Sequence, residues 1–167
     1  YLGPELVTES RNLILFGKTG RGKTHLAIAI AYKSIQNGFS ARFVTAAELI
    51  GDLAAAARDG EFREHLATYT QPQVLVVDEV GYLAYADSAA NVLFHVVNDR
   101  HLAGKPMVFT TNKSPLTDWG EVLHDHDLAD AIVDRILERG RLLVLDGPSY
   151  RTRHIQPLDS THPKSRT

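Results

Sequence analysis

The stretch GKTGRGKT at residues 17–24 places three glycines and three cations directly after an apolar run. Glycine carries an entropic cost and like charges repel one another, so a bound polyanion would account for a loop of this composition. The stretch matches the P-loop pattern G-x-x-x-x-G-K-S/T in full, and it stands between a predicted strand and a predicted helix, as that pattern requires. The sequence therefore predicts a site for a triphosphate, with a chance glycine loop as the alternative.

Each P-loop residue has a physical role in this interpretation. Glycines let backbone N–H groups approach phosphate oxygens, and the following helix adds its positive N-terminal end. Lys23 would reach the β- and γ-phosphates, and the Thr24 hydroxyl would bind Mg²⁺. Lys18 and Arg21 are not required by the pattern and could simply be solvated. ATP and Mg²⁺ are thus the predicted cofactors, with the nucleotide held by Gly17, Lys18, Thr19, Gly20, Arg21, Gly22, Lys23 and Thr24.

A second candidate is the acid pair in VLVVDEVG, where Asp78 and Glu79 close an apolar strand. Ligands bind at the carboxyl ends of parallel strands, so Asp78 would complete the Mg²⁺ shell and Glu79 would polarise the attacking water. A hydrolase needs such a base, whereas a phosphotransferase must exclude water. The alternative is an acid pair that caps a helix.

A third candidate is Asn112, which ends the strand in VFTTNKSP. Its amide could orient the lytic water or contact the γ-phosphate, and its position beside the other two motifs favours this polar sensor role. Turn chemistry, with Pro115 nearby, is the alternative. The acidic and histidine residues in HDHD at 124–127 could suggest a metal site, but Asp127 as a helix N-cap is the simpler interpretation.

The elements that would position these residues follow from the apolar pattern. Short, wholly apolar strands alternate with helical patterns, which predicts one three-layer α/β domain with a five-stranded parallel sheet covered on both faces. The predicted strands are Asn12–Phe16, Arg42–Thr45, Gln73–Val77, Pro106–Thr111 and Arg141–Leu145. The predicted helices are Lys23–Gln36, Ala46–Asp59, Glu61–Thr68, Asp87–Leu102 and Asp127–Arg139.

Composition narrows the class of protein further. The 167 residues contain no cysteine, which excludes disulfides and thiolate metal sites, and no apolar run approaches a membrane span of ~20 residues. A cytoplasmic protein without membrane contact is expected.

We predict an ATP-binding domain over residues 1–151 and a mobile basic tail over 152–167. Residues 151–167 carry four Lys or Arg against one Asp, so the tail could contact nucleic acid or merely be solvated.

The chain resembles AAA+ ATPases of the IstB/DnaC-like branch, and most closely the IstB-type helper ATPases of insertion-sequence transposition. The resemblance extends from about Asn12 to Arg153. It rests on the order and spacing of GKTHLA (22–27), DEVGYL (78–83), NVLFHVVNDR (91–100), TTN (110–112) with DWGEVL (118–123), AIVDRILERG (131–140) and SYRTR (149–153). Family members usually carry a helical N-terminal region before this domain, so the chain is expected to be the ATPase core.

The resemblance implies an AAA+ sheet in which the strand that carries Asn112 lies between the P-loop strand and the Asp78 strand. It also implies ATP hydrolysis, largely sequence-independent DNA binding, homo-oligomers of the full-length protein, and assistance to a transposase in target selection. Arg135 matches the family's arginine-finger position, and Arg151 matches its C-terminal sensor arginine.

The pattern around Arg135 leaves an alternative open. Arg135 falls outside the apolar stripe of its helix and could project from the domain, or it could pair with Glu138 three residues on.

A DnaC-like helicase loader that uses ATP as a binding switch with little turnover is the alternative function, since it shares every motif above. A small-molecule P-loop kinase is disfavoured by Glu79 and by the lack of an evident arginine-rich lid.

Overall fold

Five parallel strands form one sheet in the computed structural model, which describes residues 3–149. The strands are β1 (Asn12–Phe16), β2 (Ala41–Thr45), β3 (Val74–Val80), β4 (Met107–Thr111) and β5 (Gly140–Val144). Their spatial order is β2-β3-β4-β1-β5. The five predicted strands are thus confirmed. The strand before Asn112 also lies between the P-loop strand and the Asp78 strand, as the resemblance implied. The predicted boundary at residue 151 and the tail at 152–167 lie outside the described residues.

Seven helices accompany the sheet within residues 3–149. They are α1 (Glu5–Thr8), α2 (Lys23–Gln36), α3 (Ala46–Asp59), α4 (Phe62–Thr70), α5 (Ala89–Ala103), α6 (Trp119–Val122) and α7 (His126–Glu138). The five long helices match the predicted ones to within two residues at each end. The apolar pattern did not predict α1 and α6, because each spans a single turn and is too short to show a helical period. None of the helices described is long and apolar enough to cross a membrane.

The start of α7 differs from the prediction. Asp127 was expected to cap this helix, but the cap is Asp125, whose carboxylate accepts a hydrogen bond of 2.9 Å from the backbone N–H of Leu128. Asp127 lies within the first helical turn. An N-cap side chain bonds the N–H three residues ahead, and Asp125 has the extended backbone that this geometry requires.

The two faces of the sheet are covered by different helices, which explains the continuous apolar strands. On β3, Val74 and Val76 pack in the cluster of α2, whereas Leu75 and Val77 pack in the larger cluster with α3, α5 and α7. Because alternate residues face opposite sides, a central strand such as β3 needs apolar residues on both of its faces. The candidate residues at the ends of β3 and β4 therefore follow strands that are buried on both faces.

Arg100 on α5 is fully buried and bonds four backbone carbonyls, an arrangement that we call the Arg100 clamp. One terminal nitrogen donates to the carbonyls of Tyr69 and Pro72 at 2.9 and 2.8 Å. The other donates to the carbonyls of Gln73 and Pro106 at 2.9 and 2.8 Å. Burial lowers the pKa of Arg100 to about 9, so the guanidinium stays charged at neutral pH. The clamp joins the end of α4 to the beginnings of β3 and β4.

A second polar cluster joins α3 to α4. Asp52 Oδ1 lies 2.7 Å from His65 Nδ1, and Tyr69 donates its hydroxyl to Asp52 Oδ2 at 2.7 Å. The hydrogen bond to Asp52 raises the pKa of His65. Burial and the same carboxylate raise the pKa of Tyr69 to about 12. Burial alone would raise the pKa of Asp52, but the hydrogen bonds from Tyr69 and His65 lower it.

The Asp52–His65 pair gives a prediction for stability against pH. Since the pKa of His65 in the folded state lies above its ordinary value of 6.5, its contribution is complete below that value and is lost as pH rises through the folded pKa. The H65Q variant should therefore be destabilised more at pH 5.5 than at pH 8.5, as measured by urea midpoints. In an Asp52→Asn background, by contrast, H65Q should lose this pH dependence and change the stability equally at both pH values. Equal destabilisation of H65Q at both pH values would contradict the assignment.

Candidate nucleotide-binding site

The loop between β1 and α2 has the backbone that its glycines predicted. Gly20 and Gly22 adopt φ of +83° and +81°, in the left-handed region that favours glycine. Gly22 caps α2 without any side-chain hydrogen bond, so the first N–H groups of the helix can bind an anion. Lys23 is 5% exposed, and its Nζ donates to the carbonyl oxygens of Gly17 and Lys18 at 2.7 and 2.8 Å. The loop thus holds its lysine inside the anion-binding turn.

A cavity of about 440 Å³ opens over this loop. Its lining consists of residues 19–25 together with two residues from the end of β3 and the loop that follows, Glu79 and Tyr82. The volume lies within the range of small-molecule sites, roughly 300–1,000 Å³. Lys23 Nζ lies 6.0 Å from the centre of the Tyr82 ring, so the lysine and the ring face the same space. The cavity therefore fits a triphosphate that rests on the loop.

Asp78 is buried beside the P-loop threonine. Thr24 Oγ1 lies 3.1 and 3.2 Å from the two carboxylate oxygens of Asp78, and Thr110 donates its hydroxyl to Asp78 Oδ1. The hydroxyl of Thr24 and the carboxylate of Asp78 are hard oxygen donors, which Mg²⁺ prefers when it also binds phosphate oxygens. The donor set fits Mg²⁺. Within residues 3–149 no three His, Cys, Asp or Glu side chains group as metal ligands, the HDHD stretch included.

Glu79 departs from the regular strand that the sequence predicted. The strand was expected to end at Val77, but β3 continues to Val80, with a register shift against β4 between Val77 and Val80. Within this irregularity Glu79 has φ of +62°, a conformation that is rare for glutamate. Its side chain is exposed and lines the cavity, whereas Asp78 is buried. The two acids therefore point to different places, and neither caps a helix, since Ser88 is the N-cap of α5.

Asn112 follows β4 next to the start of the P-loop. The backbone N–H of Gly17 donates to the carbonyl of Thr111 at 3.2 Å, which ties the two strand ends together. The side chain of Asn112 is half-buried, and its Oδ1 is buried without a hydrogen-bond partner among the described residues. Asn112 is not among the residues that line the cavity. Its sensor role stays a prediction, supported by an amide oxygen that can still accept a bond.

Arg135 lies on α7, away from the cavity of its own chain. Its Nε donates to Asn98 Oδ1 at 3.0 Å, and its guanidinium carbon lies 4.8 Å from the centre of the Phe94 ring. The expected alternative partner, Glu138, instead lies 3.2 Å from His101 Nε2. The pairing with Glu138 was therefore wrong, and the projecting side chain is in fact half-buried against α5. Arg151 lies outside the described residues.

Two residues of this site were missed at the sequence level. Thr110 joins Asp78 to Glu79, and Tyr85 contacts the backbone on both sides of Val80. The two threonines that end the central strand β4, Thr110 and Thr111, were an available signal, because a buried hydroxyl needs a partner. No pattern could have found Tyr85, whose contacts depend on the path of the loop after β3.

Comparison with known proteins agrees with this geometry. The family model described as IstB-like ATP binding protein matches residues 3–157. A protein of insertion sequence IS5376 from Geobacillus stearothermophilus, named for ATP binding, is 37% identical over 88% of this chain and 58% of its own length. A counterpart from insertion sequence IS21 of Pseudomonas aeruginosa is 37% identical over 89% of this chain and 56% of its own. The chain thus spans a little over half the length of these relatives.

Solved structures share the fold. The crystal structure of the DnaC helicase loader superposes with a TM-score of 0.72 at 26% identity, covering 84% of each chain. Domain III of the replication initiation protein DnaA from Thermotoga maritima gives a TM-score of 0.69 at 24% identity, covering 90% of this chain and 66% of that one. With its P-loop, its strand order and these matches, the chain is an AAA+ ATP-binding protein that belongs to the IstB-like family of insertion sequences.

Proposed function

We propose that this protein hydrolyses ATP in the presence of Mg²⁺ and uses the nucleotide to help a transposase act on DNA. The observation that carries the hydrolytic part is the divergence of the acid pair. Asp78 turns into the sheet toward Thr24, and Glu79 turns into the cavity beside the P-loop. One carboxylate is then available to the metal shell, and the other can act on water.

In this proposal the P-loop binds the triphosphate. The free N–H groups at the start of α2 and the loop glycines bond phosphate oxygens, and Lys23 exchanges its bonds to the Gly17 and Lys18 carbonyls for oxygens of the β- and γ-phosphates. Thr24 and Asp78 hold Mg²⁺, which when bound neutralises charge on the phosphates. Arg21 and Lys18 add positive charge around the loop.

The hydrolytic step would be served by Glu79 and Asn112. Glu79 accepts a proton from the attacking water, and Asn112 orients that water through its amide. Arg135 cannot serve the same cavity from α7 of its own chain without leaving its contacts with Phe94 and Asn98. It is therefore proposed as a finger supplied to the neighbouring protomer in a homo-oligomer, and Arg151 as the sensor arginine. These roles follow the family resemblance.

The transposition role rests on the relatives, whose names assign them to insertion sequences. The second candidate is a helicase loader that uses ATP as a switch, and the observation that favours it is the match to the DnaC helicase loader over 84% of both chains. The two functions differ in the partner that is bound. The test is whether the full-length protein with ATP captures purified transposase or purified replicative helicase. Capture of transposase alone would support the first function, and capture of helicase alone would support the second.

Sequence-tolerant DNA binding is predicted to depend on salt. With Arg153, Lys164 and Arg166 replaced by Gln, and Arg151 retained, the slope of log K against log salt should become shallower by up to about 3, since each neutralised phosphate contributes ~0.9. Fluorescence anisotropy of the full-length protein with two unrelated duplexes and ATP gives the slope. An unchanged slope would show that the tail does not contact phosphates. No binding to either duplex at low salt would contradict the DNA-binding role.

A further inference from the structure

One buried hydroxyl connects the two acids of the site. Thr110 is 1% exposed, and its Oγ1 donates to Asp78 Oδ1 while it accepts the backbone N–H of Glu79 at 2.8 Å. A threonine hydroxyl has one hydrogen to donate and lone pairs to accept, so both bonds can exist together. Thr110 therefore fixes the orientation of one carboxylate and the backbone of the next residue.

A second hydroxyl bonds the backbone that follows Glu79. Tyr85, which is 9% exposed, donates to the carbonyl of Glu79 at 3.2 Å and accepts the N–H of Gly81 at 3.0 Å. Burial raises the pKa of Tyr85, which keeps its hydroxyl protonated and able to donate. Both backbone polar groups of Glu79 are thus bonded by side chains, one from β4 and one from the loop before α5.

These bonds replace the strand ladder at a strained position. The irregularity between Val77 and Val80 removes Glu79 from the β3–β4 register, and its φ of +62° is strained for a residue other than glycine. Such a conformation persists only when the surroundings determine it. Without the two hydroxyls, the backbone at Glu79 could relax to negative φ. The Glu79 carboxylate would then leave its place in the cavity lining.

We propose that Thr110 and Tyr85 are positioning residues that hold Glu79 in its left-handed conformation, and that Thr110 alone also orients Asp78 for the metal. The inference deepens the proposed ATP hydrolysis and rests on it. Neither residue lines the cavity, so neither is assigned contact with nucleotide. The unequal contacts of the two hydroxyls provide the test, because Thr110 touches both acids and Tyr85 touches only the Glu79 segment.

Isosteric variants separate these contacts. Thr110→Val should lower kcat about 10–100-fold, as loss of a supporting bond around a metal ligand typically does, and should raise the Mg²⁺ concentration needed for half-maximal activity. Tyr85→Phe should lower kcat without changing the Mg²⁺ requirement. Nucleotide affinity in EDTA should be unchanged in both. Thr110→Ser keeps the hydroxyl and should restore both properties. A merely structural role would not produce this division between variants.

Amide hydrogen exchange supplies a readout that does not depend on turnover. Exchange at the Glu79 N–H should accelerate in Thr110→Val, and exchange at the Gly81 N–H should accelerate in Tyr85→Phe, both without nucleotide. If these changes occur and the wild-type protein shows no hydrolysis, the proposed function fails and the positioning of the backbone stands. If both variants kept the kcat, the Mg²⁺ requirement and the amide exchange rates of the wild type, the inference would be overturned. Should Thr110→Val fail to fold, Tyr85→Phe retains its own exchange and kcat tests.

Discussion

Replacing Glu79 with glutamine is expected to lower ATP turnover about 10²–10⁴-fold, the range typical for loss of a general base. ATP affinity should stay close to that of the wild type. Glutamine has the same shape as glutamate but cannot accept a proton at neutral pH. The contacts of Asp78, Thr24 and Lys23 do not involve the Glu79 side chain, so the substitution leaves these three residues in place.

Steady-state phosphate release and calorimetric titration with ATP and Mg²⁺ would measure the two quantities separately. Glu64→Gln is a matched control, since Glu64 is exposed on α4 and does not line the cavity. It should hydrolyse ATP at the wild-type rate. Near-normal turnover in Glu79→Gln would refute the role of Glu79 as base.

Arg135→Ala is expected to lower turnover about 10³–10⁵-fold with little effect on ATP binding, as loss of an arginine finger does. The structure places Arg135 on α7, against Phe94 and Asn98 and outside the cavity lining of its own chain. In the proposed role, Arg135 therefore acts on the nucleotide of a neighbouring protomer. Because Arg135 is half-buried, it also packs within its own chain, and the experiment has to distinguish this packing role from the proposed role in catalysis.

Mixing two inactive variants distinguishes the proposed finger role from the packing role. Lys23→Ala lacks a working P-loop and Arg135→Ala lacks the finger, so mixed oligomers of the full-length protein should contain some interfaces with both intact and should regain activity. Asn98→Ala is the control for packing, because it removes the contact at Nε and retains the arginine. It should keep most of the activity. If the mixture stays inactive while the two variants co-assemble, Arg135 does not act in trans.

Much of this architecture could be predicted because its signals are local. The central strands β1, β3 and β4 consist mostly of apolar residues, and the P-loop combines three glycines with Lys23 and Thr24 in a single stretch. Long helices show an apolar period, so α2 and α3 begin and end where the sequence indicated. Strand order was implied by the resemblance to AAA+ proteins, since spacing alone does not determine which strands are neighbours.

The remainder depends on contacts between distant residues. Thr110 reaches Glu79 across 31 positions, and Arg135 reaches Asn98 across 37, distances over which no sequence period operates. The left-handed backbone at Glu79 has no local signal, because glutamate is not a residue that favours positive φ. The cap of α7 was misplaced by two residues because acids stand at both Asp125 and Asp127.

The Arg100 clamp has a consequence for the order of folding. Moving a guanidinium out of water costs several kcal/mol unless hydrogen bonds replace the lost solvent. The replacements here are four carbonyls from three separate segments: the end of α4 and the residues before β3 and β4. Helix α5 can therefore bury Arg100 with all four bonds only when both strands are in place. We therefore expect its docking and the alignment of β3 with β4 to belong to one cooperative step, which also brings Asp78 to Thr110 at the opposite ends of those strands.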